Sequence, residues 1–303
     1  MLEVTSLGEV LWDIIGQEKH LGGAPFNFAA HCQQLGAHSL VISRIGEDEL
    51  GVAILAQAER LHMDAHLIQR DPTHPTGQVL VRLQADGQPE YDIRAEVAYD
   101  YLMATPEAIT RASQSDIICF GTLAQRHPDS RRAIAELIHA ATDALIVCDL
   151  NLRPPHFSEQ IVRDSMARCD VLKLNDTELR TVQVMMGWSG SSGDACMLQL
   201  LDTFDLELLC VTLGARGCIL RTRAQRVAAP GYRCQVADTV GAGDAFAAAL
   251  VVRYASGCSL EETADFANLV GAYVATQRGA IPPITPDRLM AFAAETVRAP
   301  SSV

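Results

Sequence analysis

Positive charge is scarce in this chain. It has 24 Lys and Arg against 37 Asp and Glu, a net charge of −13. That balance argues against nucleic acid and anionic membrane surfaces as partners, because both attract basic patches. It leaves room for a phosphorylated ligand, since a local anion pocket can sit on an acidic protein. No apolar run reaches the ~18–20 residues of a membrane span. The start, Met1-Leu2-Glu3-Val4-Thr5, has neither a basic segment nor an apolar one of the signal-peptide kind. These absences predict a cytoplasmic protein.

Other familiar patterns are missing too. The nine cysteines form no C-x-x-C pair, and several lie in apolar runs, such as Cys119 and Cys148. They read as reduced core residues and exclude a zinc or disulfide framework. The nine histidines are dispersed, so they read as surface or packing residues. There is no G-x-x-x-x-G-K-[ST] loop and no protein-kinase glycine loop. No repeat or low-complexity tract breaks the chain, and the tail from Arg298 reads as frayed.

What remains is an ordinary globular composition, 49% hydrophobic and 20% charged over 303 residues. That length supports a sizeable core, and α/β folds of this size often form one domain. Residues 116–120, 144–149, 171–174 and 208–213 read as buried strands. Residues 131–142, 159–168, 195–204 and 245–256 read as helices. The alternation predicts a parallel sheet with helices on both faces. The N-terminal third differs. Residues 77–84 alternate apolar and polar side chains, and a turn at 85–88 leads to 89–94, which predicts a hairpin. Residues 10–16 read as a third exposed strand. A small antiparallel sheet projecting from the body would suit a lid; its alternative is a plain sheet edge.

The most informative stretch is Asp238-Thr239-Val240-Gly241-Ala242-Gly243-Asp244-Ala245-Phe246. Gly241 and Gly243 permit a tight turn with uncovered amides. A helix beginning there adds unpaired N–H donors and a partial positive charge, a setting for phosphate. Asp244 beside such an anion would be repelled, unless it takes a proton from whatever attacks the anion. That suggests phosphoryl transfer to a hydroxyl. The same residues also suit a helix cap after a glycine turn.

Ligands of open α/β sheets bind beyond the carboxyl ends of the strands, and four loops there or near the N-terminus are distinctive. Asp149-Leu150-Asn151-Leu152-Arg153-Pro154-Pro155 ends a buried strand with an Arg that can pair with phosphate or with Asp149. Asn175 and Glu178 form either a capping box or a site near Mg²⁺ and its water shell. Thr212-Leu213-Gly214-Ala215-Arg216-Gly217 lines a nucleotide or makes a tight hairpin. Gly22-Gly23 with Asn27 admits a ligand close to the backbone or allows close helix packing. Asp13 ends an apolar run, where a carboxylate suits hydroxyl binding.

Taken in order, these segments resemble the ribokinase-like (PfkB) carbohydrate kinases, over essentially the whole chain. The resemblance includes Gly46-Glu47-Asp48-Glu49-Leu50-Gly51, with Glu47 where the family more often has Asp. Asp149-x-Asn151-x-Arg153-Pro154 and Gly279-Ala280-Ile281-Pro282 are most similar to fructokinases, although deoxygluconate kinases share the first of these.

The resemblance implies a single ribokinase-like domain over 1–303, with lid strands at about 10–20 and 77–100. It implies an ATP-dependent sugar kinase acting on a primary hydroxyl, with fructose foremost. Alternatives are 2-keto-3-deoxygluconate kinase, ribokinase or nucleoside kinase, and more remotely an inactive sugar-binding regulator. It implies that Asp244 is the base and that the amides of Gly241, Ala242 and Gly243 hold the phosphoryl group, with Arg153 neutralising it. Asp13, Gly23 and Asn27 would hold the sugar. Thr212, Gly214, Gly217 and Asn268 would line the ATP site. Asn175 and Glu178 would position Mg²⁺ through water. Asp238 lies where the family often binds a monovalent cation such as K⁺, although Pro283 replaces a hydroxyl residue of some members. A homodimer through the lid is a further implication.

Overall fold

The computed structural model describes residues 1–16, 18–83 and 89–299. Strand β1 (Glu3–Leu7) leads to the antiparallel pair β2 (Leu11–Ile15) and β3 (Glu18–Gly22). Then come α1 (Ala24–Gln34), β4 (His38–Gly46), α2 (Glu49–Arg60) and β5 (Ile68–Asp71). A second antiparallel pair follows, β6 (Gly77–Leu83) and β7 (Pro89–Ile93). Next are α3 (Pro106–Ser113), β8 (Ile117–Phe120), α4 (Pro128–Ala140), β9 (Leu145–Asp149) and α5 (Glu159–Met166). The chain continues through β10 (Val171–Asn175), α6 (Asp176–Met185), α7 (Gly193–Thr203), β11 (Leu208–Thr212), β12 (Cys218–Arg221) and β13 (Arg226–Ala229). It ends with β14 (Tyr232–Arg233), α8 (Ala242–Ala255), α9 (Leu260–Ala275), α10 (Pro286–Glu295) and β15 (Val297–Arg298).

The main sheet has nine strands among the described residues, in the order β13-β12-β11-β10-β9-β8-β1-β4-β5. Every pairing from β5 to β11 is parallel, and β12 and β13 close one edge antiparallel. Successive side chains on a strand point to opposite faces. In β8, Ile118 and Phe120 therefore join the core under α4, α5 and α7. Ile117 and Cys119 join the core under α1, α8 and α9. A strand covered on both faces must be apolar throughout, which is why these runs stood out. Each fully buried aliphatic side chain contributes about 1.5–3 kcal/mol. All nine cysteines are free, and seven are buried.

The expected strands and helices match observed elements to within a few residues. The reading of the N-terminal third needs correction, because β1, β4 and β5 belong to the main sheet. Their signal was diluted by buried polar side chains. Thr5 meets the Ser115 hydroxyl at 2.8 Å, and Ser39 donates to the Ala29 carbonyl at 2.5 Å. The expected hairpin is present, but its turn at 85–88 lies outside the described residues. Residues 11–15 are not wholly exposed, since Leu11 and Trp12 are buried. The small sheet runs β3-β2-β6-β7, with β2 and β6 parallel. Of the tail expected to fray, Arg298 instead pairs with Tyr232 in the short strand Val297–Arg298, and residues 300–303 lie outside the described residues.

The Gly46–Gly51 motif holds the small sheet in place. Asp48 caps α2 by accepting from the Gly51 amide at 2.8 Å. The same carboxylate accepts from the Thr76 amide and hydroxyl at 2.8 and 2.7 Å, just before β6 begins. These bonds hold Asp48 below the usual carboxylate range despite the opposing effect of its partial burial.

Candidate active site

Helix α8 starts at Gly241, whose φ of 76° is left-handed. A Cβ there would collide with the Ala280 carbonyl oxygen and lie 2.7 Å from the Ala280 Cα. Only glycine meets both conditions at once. Asp244 falls in the first turn of this helix, where the peptide dipole favours a negative charge. Gly243 is exposed, and its absent side chain leaves space 3.6 Å from the Lys173 ammonium. Behind the turn, α8 is built of small apolar residues. Gly271 of α9 would place a Cβ 3.2 Å from Phe246, so the two helices pack very closely. The result is a helix start with a carboxylate and a nearby ammonium, in which the Ala242 amide, expected to face a phosphoryl group, already donates to the Thr239 carbonyl at 3.3 Å.

Asn27 of α1 donates from Nδ2 to Asp244 Oδ2 at 2.8 Å. Its own Oδ1 is buried without a partner among the described residues. The pocket of Asp244 disfavours its charge, chiefly through burial and then through the Asp149 carboxylate. Asn27, Lys173 and Arg153 offset part of this, leaving Asp244 raised to about 6. A base with that affinity is ionised at neutral pH yet still binds a proton readily.

Lys173, midway along β10, and Asp149, the last residue of β9, are partners in register. Lys173 Nζ lies 3.0 and 2.8 Å from the two Asp149 oxygens, and both residues are buried. Burial opposes the ammonium, but the carboxylates of Asp149, Asp244 and Glu178 hold it above the usual lysine range. Arg153 is therefore not the partner of Asp149. It is exposed, has no ion pair among the described residues, and lowers the proton affinity of Asp13, Glu9 and Asp244.

The capping reading of Asn175 and Glu178 is realised in full. Asn175 Oδ1 accepts from the Thr177 and Glu178 amides at 2.9 and 2.8 Å. Glu178 Oε2 accepts from the Asn175 amide, and Oε1 from the Leu152 amide, both at 2.8 Å. Each Glu178 oxygen keeps a second lone pair, whereas Asn175 Oδ1 has both in use, so the pair suits a water-bridged metal better than direct ligation. No group of three or more His, Cys, Asp or Glu side chains among the described residues could hold a metal.

On the other side, Asp13 sits in β2 opposite His20 of β3. Gly22 leaves room for its carboxylate, which a Cβ there would strike. Burial raises Asp13, and Arg153 and His20 pull it back. Gly23 caps α1 with φ 105°, and a Cβ there would lie 2.5 Å from the Glu9 carbonyl oxygen. The residues expected to line a nucleotide, Thr212, Gly214, Gly217 and Asn268, lie apart from these. Thr212 ends β11, and Gly214–Arg216 forms a short 3-10 turn into β12. That turn is also the expected hairpin connection. A side chain at Gly217 would lie 2.5 Å from the Gly231 amide. Asn268 on α9 donates to the Ala229 and Pro230 carbonyls at 3.2 and 3.4 Å, so it orders that loop. Asp238 ties two loops together, accepting from the Val240 amide at 3.0 Å and the Gly279 amide at 3.2 Å.

Three further residues shape the site without standing out in any sequence motif. Lys173 is a lone charge inside an apolar strand, a signal that was available. Glu9 is 3% exposed, its Oε2 has no partner among the described residues, and burial with the nearby Asp244 raises it to about 7. His31 was read as a packing residue and is fully buried. Only three-dimensional placement reveals the last two.

The pattern of the pfkB family carbohydrate kinases matches residues 4–288. Fructokinase-1 of Oryza sativa subsp. japonica is 30% identical over 306 residues, covering 92% of this chain and 93% of its own. An uncharacterized sugar kinase from Pyrococcus horikoshii in complex with ATP is 27% identical, with a TM-score of 0.79 over 92% and 94% of the two chains. A Vibrio cholerae fructokinase double mutant bound to fructose, ADP and potassium ion is 25% identical, with a TM-score of 0.81 over 96% and 98%. The fold and the family match define a sugar kinase of the ribokinase type. The chain belongs to the pfkB family of carbohydrate kinases and is an ATP-dependent member of it.

Proposed function

We propose that this kinase transfers the γ-phosphate of ATP to a primary hydroxyl of fructose. One observation carries the chemistry: Asp244 is fixed by Asn27 in the first helical turn, beside the Gly241 cradle and the Lys173 ammonium. Bound ATP supplies the phosphoryl group, with Mg²⁺ shielding its charge. Asp244 takes the proton of the attacking hydroxyl. The amides of Gly241, Ala242 and Gly243 receive the negative charge that spreads during transfer, and Arg153 adds a cation whose field already reaches Asp244. Asp13 and the backbone at Gly23 hold the sugar, and Asn27 orients both sugar and base.

Thr212, Gly214, Gly217 and Asn268 form the nucleotide side. Asn175 and Glu178 hold water on the metal. Asp238, with its remaining lone pairs, stands beside a K⁺ site that the 238–240 and 279 loops would build. The small sheet of β2, β3, β6 and β7 serves as the lid over the acceptor and as a surface for a second copy of the chain.

Fructose is favoured by the fructokinase relatives on both comparisons. The test is an ADP-release assay with fructose, tagatose, ribose, 2-keto-3-deoxygluconate and adenosine. Fructose turnover at least about tenfold above the rest supports the assignment. A preference for another acceptor replaces fructose but keeps the kinase.

A further inference from the structure

Helix α1 carries two buried polar side chains one turn apart, Asn27 and His31. Residues four apart lie on one helix face. The first side chain fixes Asp244. The second places Nε2 3.0 Å from the carbonyl oxygen of Ala280. A carbonyl only accepts, so Nε2 carries the proton and Nδ1 is bare. Nδ1 is buried and has no partner among the described residues. Burial pushes this imidazole down to about 4 against the opposing effect of the Ala280 bond, so it stays neutral in one tautomer.

Ala280 is the residue against which Gly241 rests. The neighbouring Gly279 amide is tied to Asp238, and Asp238 to the Val240 amide. Segments 238–241 and 279–280 are thus laced together, and His31 joins the lacing to α1. An unpaired buried acceptor such as Nδ1 is costly, since it has given up its water without gaining a donor. An apolar side chain would fill the space without that cost, but could not hold the Ala280 carbonyl.

We propose that His31 is a positioning residue for phosphoryl transfer: its Nε2–H fixes the Ala280 peptide, which sets Gly241 and the aim of the 241–243 amides. One helix face then aligns both halves of the reacting site, the base through Asn27 and the anion cradle through His31. The inference rests on the assignment of those amides to the transferring phosphoryl group.

The experiment compares His31→Leu and His31→Gln by steady-state kinetics, thermal unfolding and amide hydrogen exchange. A Gln side chain can bring an N–H to nearly the same point. For His31→Leu, kcat falls roughly tenfold or more, because small displacements of reacting groups are costly. The sugar KM stays within about threefold, since no sugar contact is lost. Exchange quickens at residues 238–245 but not in β1 or β8. His31→Gln recovers most of the turnover and the slow exchange. A folded Leu variant with wild-type kcat, or equal losses in both variants, overturns the proposal. Should the Leu variant not fold, Gln decides: near wild-type turnover sustains the proposal, and lost turnover at an unchanged melting temperature ends it. Gly241→Ala is assayed alongside. Retained turnover there removes the cradle assignment itself, whatever happens at His31.

Discussion

Asn27 and Asp244 lie 217 positions apart and meet at 2.8 Å, amide nitrogen to carboxylate oxygen. The contact joins the N-terminus of α1 to that of α8. It sets the direction in which Asp244 presents its free oxygen. Asn27→Ala removes the donor that favours the ionised form. Turnover should drop by roughly tenfold to a hundredfold. The midpoint of the acidic limb of the rate profile should move up from about 6, because a lowering influence on Asp244 is lost. A limb that stays in place or moves down would count against this pairing.

Lys173 and Asp149 form a buried pair, and breaking it on one side leaves an uncompensated charge. Lys173→Met should cost about 3–5 kcal/mol of stability. The double variant Lys173→Met with Asp149→Asn should recover much of that loss while turnover stays low, because the cradle has lost its ammonium. Denaturant unfolding and kcat on the same preparations check both statements. A double variant with full activity would confine the pair to a structural role.

Glu9 makes stability depend on pH in a definite direction. Its ordinary value is 4.5, and in the fold it is raised to about 7, mainly by burial. The folded protein then binds this proton more tightly than the unfolded chain. The contribution is complete below about 4.5 and is lost as pH rises through about 7. Taken alone, that gap is worth roughly 3 kcal/mol. Glu9→Gln should flatten the stability curve over that window, read by urea unfolding at a series of pH values. An unchanged slope would mean that another group dominates.

The sheet was legible because strands buried on both faces must be apolar, and β8, β9 and β11 announced themselves in that way. β1 and β4 did not, since Thr5, Ser6, Ser39 and Ser43 interrupt them with buried hydroxyls. In the site, the glycine turn with Asp244 could be read locally. Its helix start and the φ of Gly241 follow from adjacent residues. The link from Asn27 to Asp244, the Lys173 partner and the His31–Ala280 bond depend on segments far apart in sequence. Asn175 and Glu178 carried two meanings at once, and their geometry satisfies the capping one with every bond in place.

The Gly241 position offers a test that depends on shape and not on charge. Gly241→Ala must displace the Ala280 peptide or leave the left-handed conformation. Turnover should fall by about a hundredfold, the effect of a lost or misplaced oxyanion donor. Far-ultraviolet circular dichroism should be unchanged, because the main sheet does not rest on this turn. Wild-type turnover would remove the cradle from the mechanism.

The most direct test of the account is Asp244→Asn, assayed for ADP release with fructose and for binding of ATP and fructose by calorimetry. The substitution keeps the shape of the side chain and removes its ability to accept a proton. Turnover should fall by roughly a thousandfold, with both dissociation constants within about threefold of wild type. A variant that phosphorylates fructose at the normal rate would contradict the role of Asp244 as the base.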